Sequence, residues 1–300
     1  MKNRKKILLI LVVILGTFLL TGCSNNDVSQ AIGTGKFQFD DLFVYPMAGL
    51  MWVISKTIGF GSYGLVIIIA TLVVRTIAWP IYAKTNDMSL KMTLVAPEAE
   101  KIKKKYEGKD DPQSQQKMQI ETMQLYKKYG IGFGGCLLPF LQMPIFIGFY
   151  RTISRIPATL VVQDHWLNVF RTTKFLGIDL TQDKSAGGFQ ETGVIILAVL
   201  VGITQVISLL ITQHRQKKSK EEQFSNVPAY RKPETPQQAS TQKTMNVIMY
   251  SMAVMMVVFV LNSPAGLGLY WLIGNIYSTI QSQIGHKNSQ KRLEVLRNKH

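Results

Sequence analysis

Three hundred residues that are 47% hydrophobic and only 17% charged, with a mean hydropathy of +0.12, do not describe an ordinary soluble domain. The formal net charge of +16 raises nucleic acid as a partner, but most Lys and Arg sit in loops beside apolar blocks, which argues for membrane orientation and against sequence-specific nucleic-acid binding. Two cysteines cannot build a disulfide framework.

Residues 1–22 read as a lipoprotein signal peptide. Lys2, Arg4, Lys5 and Lys6 precede an apolar stretch from Ile7 to Leu20 that is short for a membrane span. The stretch ends in Leu20-Thr21-Gly22-Cys23, which resembles the bacterial lipobox, after which the cysteine carries a diacylglycerol and becomes the mature N-terminus. The alternative is an uncleaved anchor with a chance cysteine. Residues 23–39 are expected to form an external tether. Residues 40–60 are nearly as apolar as a span and could cross the membrane or lie along its outer surface. Pro46 and the polar face offered by Ser55, Lys56 and Thr57 favour an external interfacial helix, and a crossing here would put the basic loops outside.

Residues 61–82, GSYGLVIIIATLVVRTIAWPIY, form the first predicted span and carry one charge, Arg75. At about 1.5 Å per residue Arg75 lies roughly 21 Å from Gly61, inside the hydrocarbon. An intramembrane Arg costs at least about 2.5 kcal/mol, so it must face a partner or water. None of the other predicted spans contains Asp or Glu. Unless it is paired within the protein, Arg75 faces a wet cavity that borrows its counter-charge from something that visits.

Residues 83–130 hold ten Lys and seven acidic residues, with a break at Gly108-Lys109-Asp110-Asp111-Pro112. Two arms rich in Lys, Gln, Met and Glu, about Lys84–Tyr106 and Pro112–Lys128, predict a helical hairpin. Met118, Thr122, Leu125 and Tyr129 recur at helical spacing and are expected to be the seam between the arms. Four more spans are predicted at 131–151 (with Pro139, Pro144 and Gln142), 193–213 (with Thr204 and Gln205), 245–261 and 264–284, the last opened by Pro264 and carrying Tyr270, Trp271, Asn275 and Gln281. Between them lie an external segment at 152–192, a polar loop at 214–244 without periodicity, and a basic tail at 285–300. Five core transmembrane helices with an external mature N-terminus put 83–130, 214–244 and the tail in the cytoplasm. These carry ten, seven and five Lys plus Arg, against two in 24–60 and five in 151–191, the asymmetry the positive-inside rule requires.

The pattern contains no HExxH, GxSxG, P-loop or Cys/His metal spacing, and the four histidines fall in loops or the tail, so neither an enzyme nor a metal or cofactor site is expected. What remains at membrane depth is a scatter of neutral polar groups: Thr76, Gln142, Thr204, Gln205, Tyr270, Asn275 and Gln281. Singly each suits a helix–helix hydrogen bond; together, beside Arg75, they could line a hydrated groove. Gly134, Gly135, Gly148, Gly202, Gly266, Gly268 and Gly274 suit close packing behind it.

GGCLLPFLQMPIFIGFYR (134–151) and SPAGLGLYWLIGNIYSTIQ (263–281) closely resemble the YidC/Oxa1/Alb3 membrane protein insertases, and Arg75 falls where that family keeps its Arg in the first core span. The lipobox and the lack of a large external domain look like the Gram-positive branch. One departure is Gly132-Phe133, where the family often has Asn-Pro before the Gly-Cys motif. The resemblance implies an all-α polytopic membrane protein of five core helices around a hydrophilic groove, open to the cytoplasm and to lipid. It implies that Arg75 attracts the acidic leading end of a nascent membrane protein, and that Gln142, Gln205 and Trp271 line or bound the groove with Thr76 and Asn275. The implied partners are nascent membrane proteins, membrane lipid, the Sec translocon and, through the basic cytoplasmic segments, the ribosome. A small-solute or proton-coupled transporter is the competing reading. It would need a paired carboxylate or matched broken helices in two halves. A lipoprotein scaffold would leave Arg75 unexplained.

Overall fold

The computed structural model describes residues 30–34, 37, 39–109, 111–131, 138–223 and 236–297. The signal peptide, Cys23, Gly134 and Gly135 lie outside the described residues.

The segment 40–60 forms helix α1, Asp41–Thr57, which continues through Pro46. Val44, Met47, Ala48, Met51 and Ile54 recur at three and four and form its buried face. Ser55 is also buried and donates to the Val169 carbonyl, so it is not on a polar outer face as its sequence position suggests. The outer face instead shows Leu42, Tyr45, Trp52 and Val53.

The first predicted span is two helices. Helix α2, Tyr63–Ile77, stops at Ala78, and α3 runs from Trp79 to Lys105. Pro80 stands in the first turn of α3, where a missing N–H costs nothing. The 15 residues of α2 rise only about 22 Å, less than the hydrocarbon thickness, so the first turns of α3 complete that path. Helix α4, Pro112–Lys128, packs against α3 to make the hairpin. Asp111 caps α4 by accepting the Ser114 amide at 2.8 Å. Met118, Thr122 and Leu125 are half-buried along the seam, while Tyr129 is exposed and donates its hydroxyl to Glu98. Lys105 and Tyr106 both bond the Glu121 carboxylate, at 2.7 and 2.8 Å, and close the far end.

Helix α5, Leu138–Leu160, passes through Pro144 without a break and runs nine residues beyond the predicted span. Residues 214–244, expected to form a loop without periodicity, are helical where described, and so is the basic tail. Helix α6 covers Gly188–Gln223, α7 Pro236–Leu261 and α8 Ala265–Arg297. Lys, Gln and Glu are good helix formers, so the backbone continues after the apolar pattern stops. Gly188–Arg215, with mean hydropathy 2.8, is the one helix among the described residues long and apolar enough to cross a membrane by itself; Tyr63–Ile77 and Met249–Leu261 are shorter apolar helices. The chain is a mostly helical membrane protein.

Helix α8 is the hub, packing on α2, α3, α5, α6 and α7. A Cβ on Gly268 would come within 2.8 Å of Leu197 of α6, and one on Gly202 within 2.8 Å of Val257 of α7, so these glycines set the close approach of the helices. On the α5 side the contact is aromatic: Phe149 stacks on Tyr270 at 4.3 Å, and Trp271 lies 5.5 Å from Phe146 and 5.2 Å from Phe259.

Among the described residues the departure from an all-α description is in the segment 152–192, a hairpin of two-residue strands, β1 (Lys174–Phe175) and β2 (Ile178–Asp179). Its amides and carbonyls tie the helix ends together. Arg171 and Thr172 donate to the Gly61 carbonyl, Tyr63 donates to Thr172, and Gly266 of α8 donates to Leu180. Two buried ion pairs clamp α1 to α5: Arg151 with Asp40 at 3.1 Å and Arg155 with Asp41 at 2.5 Å. Arg155 also donates to the carbonyls of Gln30 and Ala31. Beside them Ile32, fully buried, donates its amide to Thr159 and accepts from His165. Because the His165 Nδ1 accepts the Leu167 amide, Nε2 carries the ring proton.

Candidate functional site

Arg75 stands in the last turn of α2, the end of a helix where a cation is favoured. Its Nη1 donates to the Tyr82 hydroxyl at 3.3 Å, and the guanidinium carbon lies 5.9 Å from the Tyr82 ring centre. Tyr82 reaches it from the first turn of α3, across the break at Ala78. The Tyr270 phenol of α8 is a second neighbour. Gly274, one turn further along α8, supplies the space: a Cβ there would lie 3.2 Å from Nη2. The Nε of Arg75 is buried and has no hydrogen-bond partner. Ion pairs are formed by Lys105, Arg151 and Arg155, and Arg75 is in none with a described residue.

The groups that orient this cation are therefore neutral phenols, and its charge is left whole. At an effective dielectric of about 20, a carboxylate brought to about 4 Å would gain roughly 4 kcal/mol from it. That is enough to attract an acid and too little to trap one permanently.

Thr76 is exposed beside Arg75. Its hydroxyl donates to the Leu72 carbonyl at 2.7 Å, so the Tyr277 hydroxyl, 2.8 Å away, is the donor to it. Asn275 is half-buried and donates to Thr204 of α6 at 3.4 Å, which links α6 and α8 at the residue after Gly274. Gln205 is half-buried next to Thr204. Trp271 is only 8% exposed and turns into the aromatic cluster with α5 and α7. Gln142 stands on the backbone of α5, and its side chain lies outside the description. Arg75 and Thr76 of α2 thus meet Gly274 and Tyr277 of α8, Asn275 joins α8 to α6, and Trp271 belongs to the aromatic cluster with α5 and α7. Gln281 is 4% exposed and its Nε2 has no partner.

Sequence reasoning missed Tyr82, Tyr277 and the role of Gly274. Tyr82 had a usable signal, since residues seven apart share a helix face and Tyr82 is seven residues from Arg75. Nothing local marks Gly274, whose role exists only because α2 lies against it.

The model of the family described as 60Kd inner membrane protein matches residues 53–292. Similar proteins include the membrane protein insertase MisCA of Bacillus subtilis, 31% identical, with 91% of this chain and 88% of that protein covered. The membrane protein insertase YidC of Alkalihalophilus pseudofirmus is 33% identical, with 93% of each chain covered. Membrane protein insertase YidC 2 of Bacillus anthracis is 33% identical, covering 93% of this chain and 92% of its own. With a family model spanning most of the sequence and relatives aligned nearly end to end, this chain belongs to the 60Kd inner membrane protein family, the YidC/Oxa1 insertases.

Proposed function

We propose that this protein is a membrane protein insertase that moves nascent membrane proteins from the cytoplasm into the bilayer, alone or with the Sec translocon. The observation that carries the mechanism is Arg75, a cation oriented by neutral oxygens and, among the described residues, without a carboxylate. An acidic leading segment of a client is drawn to it, and the client's apolar stretch then passes along the helices into lipid. Burial of about 20 apolar residues drives the step, so no nucleotide site is needed. Thr76, Gln205 and Asn275 offer hydrogen bonds along the way, with Gln142 on the facing helix and Trp271 as a boundary. The insertase names of the relatives support this reading over a solute transporter.

The proposed topology has five spans, at 61–82, 131–151, 193–213, 245–261 and 264–284, with α1 along the outer surface. The hairpin, the 214–244 segment and the tail lie in the cytoplasm, where their basic residues meet the ribosome. Cys23 carries the lipid after loss of residues 1–22, and a mature mass without a diacylglycerol adduct would overturn that assignment.

The test is reconstituted insertion scored by protease protection. Arg75→Lys keeps most insertion, because a positive charge is retained. Arg75→Ala lowers insertion of clients with acidic leading segments about ten-fold and leaves neutral ones nearly unchanged. Equal insertion of both client types by Arg75→Ala, at normal abundance, sinks the electrostatic mechanism.

A further inference from the structure

At the external end of α2 a cavity of about 380 Å³ opens between the last turn of α1 and the chain at 168–171. Two cations line it, Lys56 and Arg171, and no carboxylate does. Both are exposed, and neither belongs to an ion pair among the described residues. The neutral polar groups of the lining are already engaged: Ser55 donates to Val169, Thr57 to Val53 and Asn168 to Val162. The cations are therefore what the cavity offers a visitor. Arg171 is held in place there. Its amide donates to the Gly61 carbonyl at 2.8 Å, and its stem packs so closely on Gly61 that a Cβ would lie 2.7 Å from Cγ. Gly61 has φ +76°, so the approach depends on glycine twice over.

The rim is apolar and strained. Phe60 has φ +47°, a conformation that a bulky residue adopts at a cost, and it leaves its ring 80% exposed. The same combination recurs nearby. Leu176 at the tip of the β1–β2 turn has φ +52° and is 83% exposed, and the adjacent Phe175 packs on Gly64 of α2. Two strained, displayed apolar side chains thus flank this end of α2, and Phe60 lines the same cavity as the two cations.

We propose that this cavity binds the phosphate of an anionic glycerophospholipid of the outer leaflet, with Lys56 and Arg171 on the phosphate and Phe60 among the acyl chains. The volume suits a phosphoglycerol headgroup. Two cations lining one cavity supply the charge-assisted bonds that would hold a phosphate there. The assignment rests on the proposed topology, which places this end of α2 outside, and is separate from the role of Arg75.

The test uses the full-length protein in nanodiscs of phosphatidylcholine with rising phosphatidylglycerol, and native mass spectrometry of the lipids retained on release. The wild type retains phosphatidylglycerol selectively. Lys56→Gln with Arg171→Gln loses that selectivity about ten-fold, while Lys103→Gln with Lys104→Gln on the hairpin does not. Phe60→Ser weakens retention of the lipid. Free glycerol phosphate at the same phosphate concentration does not compete. Retention unchanged in the Lys56/Arg171 variant overturns the proposal. So does equal loss in the hairpin variant, which would mean non-specific charge. Full competition by free glycerol phosphate would show a simple anion site and overturn the lipid assignment. A thiol-reactive, membrane-impermeant label at Thr57→Cys tests the topology on its own: labelling only from the cytoplasmic side would overturn that premise whatever the lipid result.

Discussion

Phenols suit Arg75 because they orient a guanidinium without neutralising it, whereas a carboxylate at the same place would hold it in a closed pair. Tyr82→Phe removes the 3.3 Å bond and keeps the ring beneath the cation. Loss of a bond this long is worth about 0.5–1 kcal/mol, so insertion of an acidic client should fall about two- to five-fold, less than in Arg75→Ala. A fall as large as that of Arg75→Ala would mean that position, not charge, is what the site needs. At Gly274 size decides. Alanine places a methyl 3.2 Å from the mobile end of Arg75, which yields by a few tenths of an ångström, so Gly274→Ala should retain most insertion. Gly274→Leu needs room the guanidinium occupies, and should match Arg75→Ala in the same assay. The sequence identifies Arg75 at once, because a lone charge inside 22 apolar residues violates the pattern around it. It says nothing of Gly274, because a missing side chain gains meaning only from the neighbour that fills the space.

The elements are joined by bonds of very different exposure. Asp41 and Arg155 are 114 residues apart and each is 4% exposed at the side chain, so their pair lies in the protein interior. Removing one member strands the other: Asp41→Ala should destabilise the packing of α1 on α5 by about 3–5 kcal/mol, seen as a lower midpoint of thermal unfolding in detergent. Hydropathy could not find this clamp. Its partners lie in segments that read as a surface helix and an external loop, where charge looks solvated. The hairpin is the opposite case: composition and the break at 108–112 place its second arm at Pro112–Lys128, and the structure starts that helix at Pro112 with Asp111 as its cap. Its tie to the first arm is exposed. The Glu121 carboxyl is held below the usual range by Lys105 first and Tyr106 second, and Lys105 is raised mainly by the same bond. Glu121 therefore contributes fully above the ordinary carboxylate value, about 4, and its contribution is lost as pH falls through its lowered folded value. Lys105 contributes fully below the ordinary lysine value, about 10, and its contribution is lost as pH rises through its raised one. Spin labels on the two arms should report one fixed separation between about pH 5 and 9 and a broader distribution at both extremes; a distribution independent of pH would mean the seam alone holds the arms.

At the scale of the molecule, sequence reasoning located the apolar blocks but misjudged where helix ends. Hydropathy reports where lipid-compatible residues stop, and the backbone has no reason to stop there: α6 and α8 run on through polar helix formers to Gln223 and Arg297. The break at Ala78 was hidden for the converse reason, since Pro80 and its apolar neighbours do not interrupt the run. The five-span topology predicts that Ser185→Cys labels from outside and Ser114→Cys and Ser289→Cys from the cytoplasm with an impermeant thiol reagent; Ser114 labelled from outside would invert the arrangement. The broken first span also has a mechanical reading. Measured from Ala78, Tyr82 lies about 6 Å along α3 and Lys105 about 40 Å. A rod turning on that point, as far as its packing on α8 allows, is a lever with a ratio of about seven between its far end and the phenol that holds Arg75. On such a lever the tip of the hairpin would sweep several ångströms for less than one at the phenol, so whatever meets the tip would reach the guanidinium geared down.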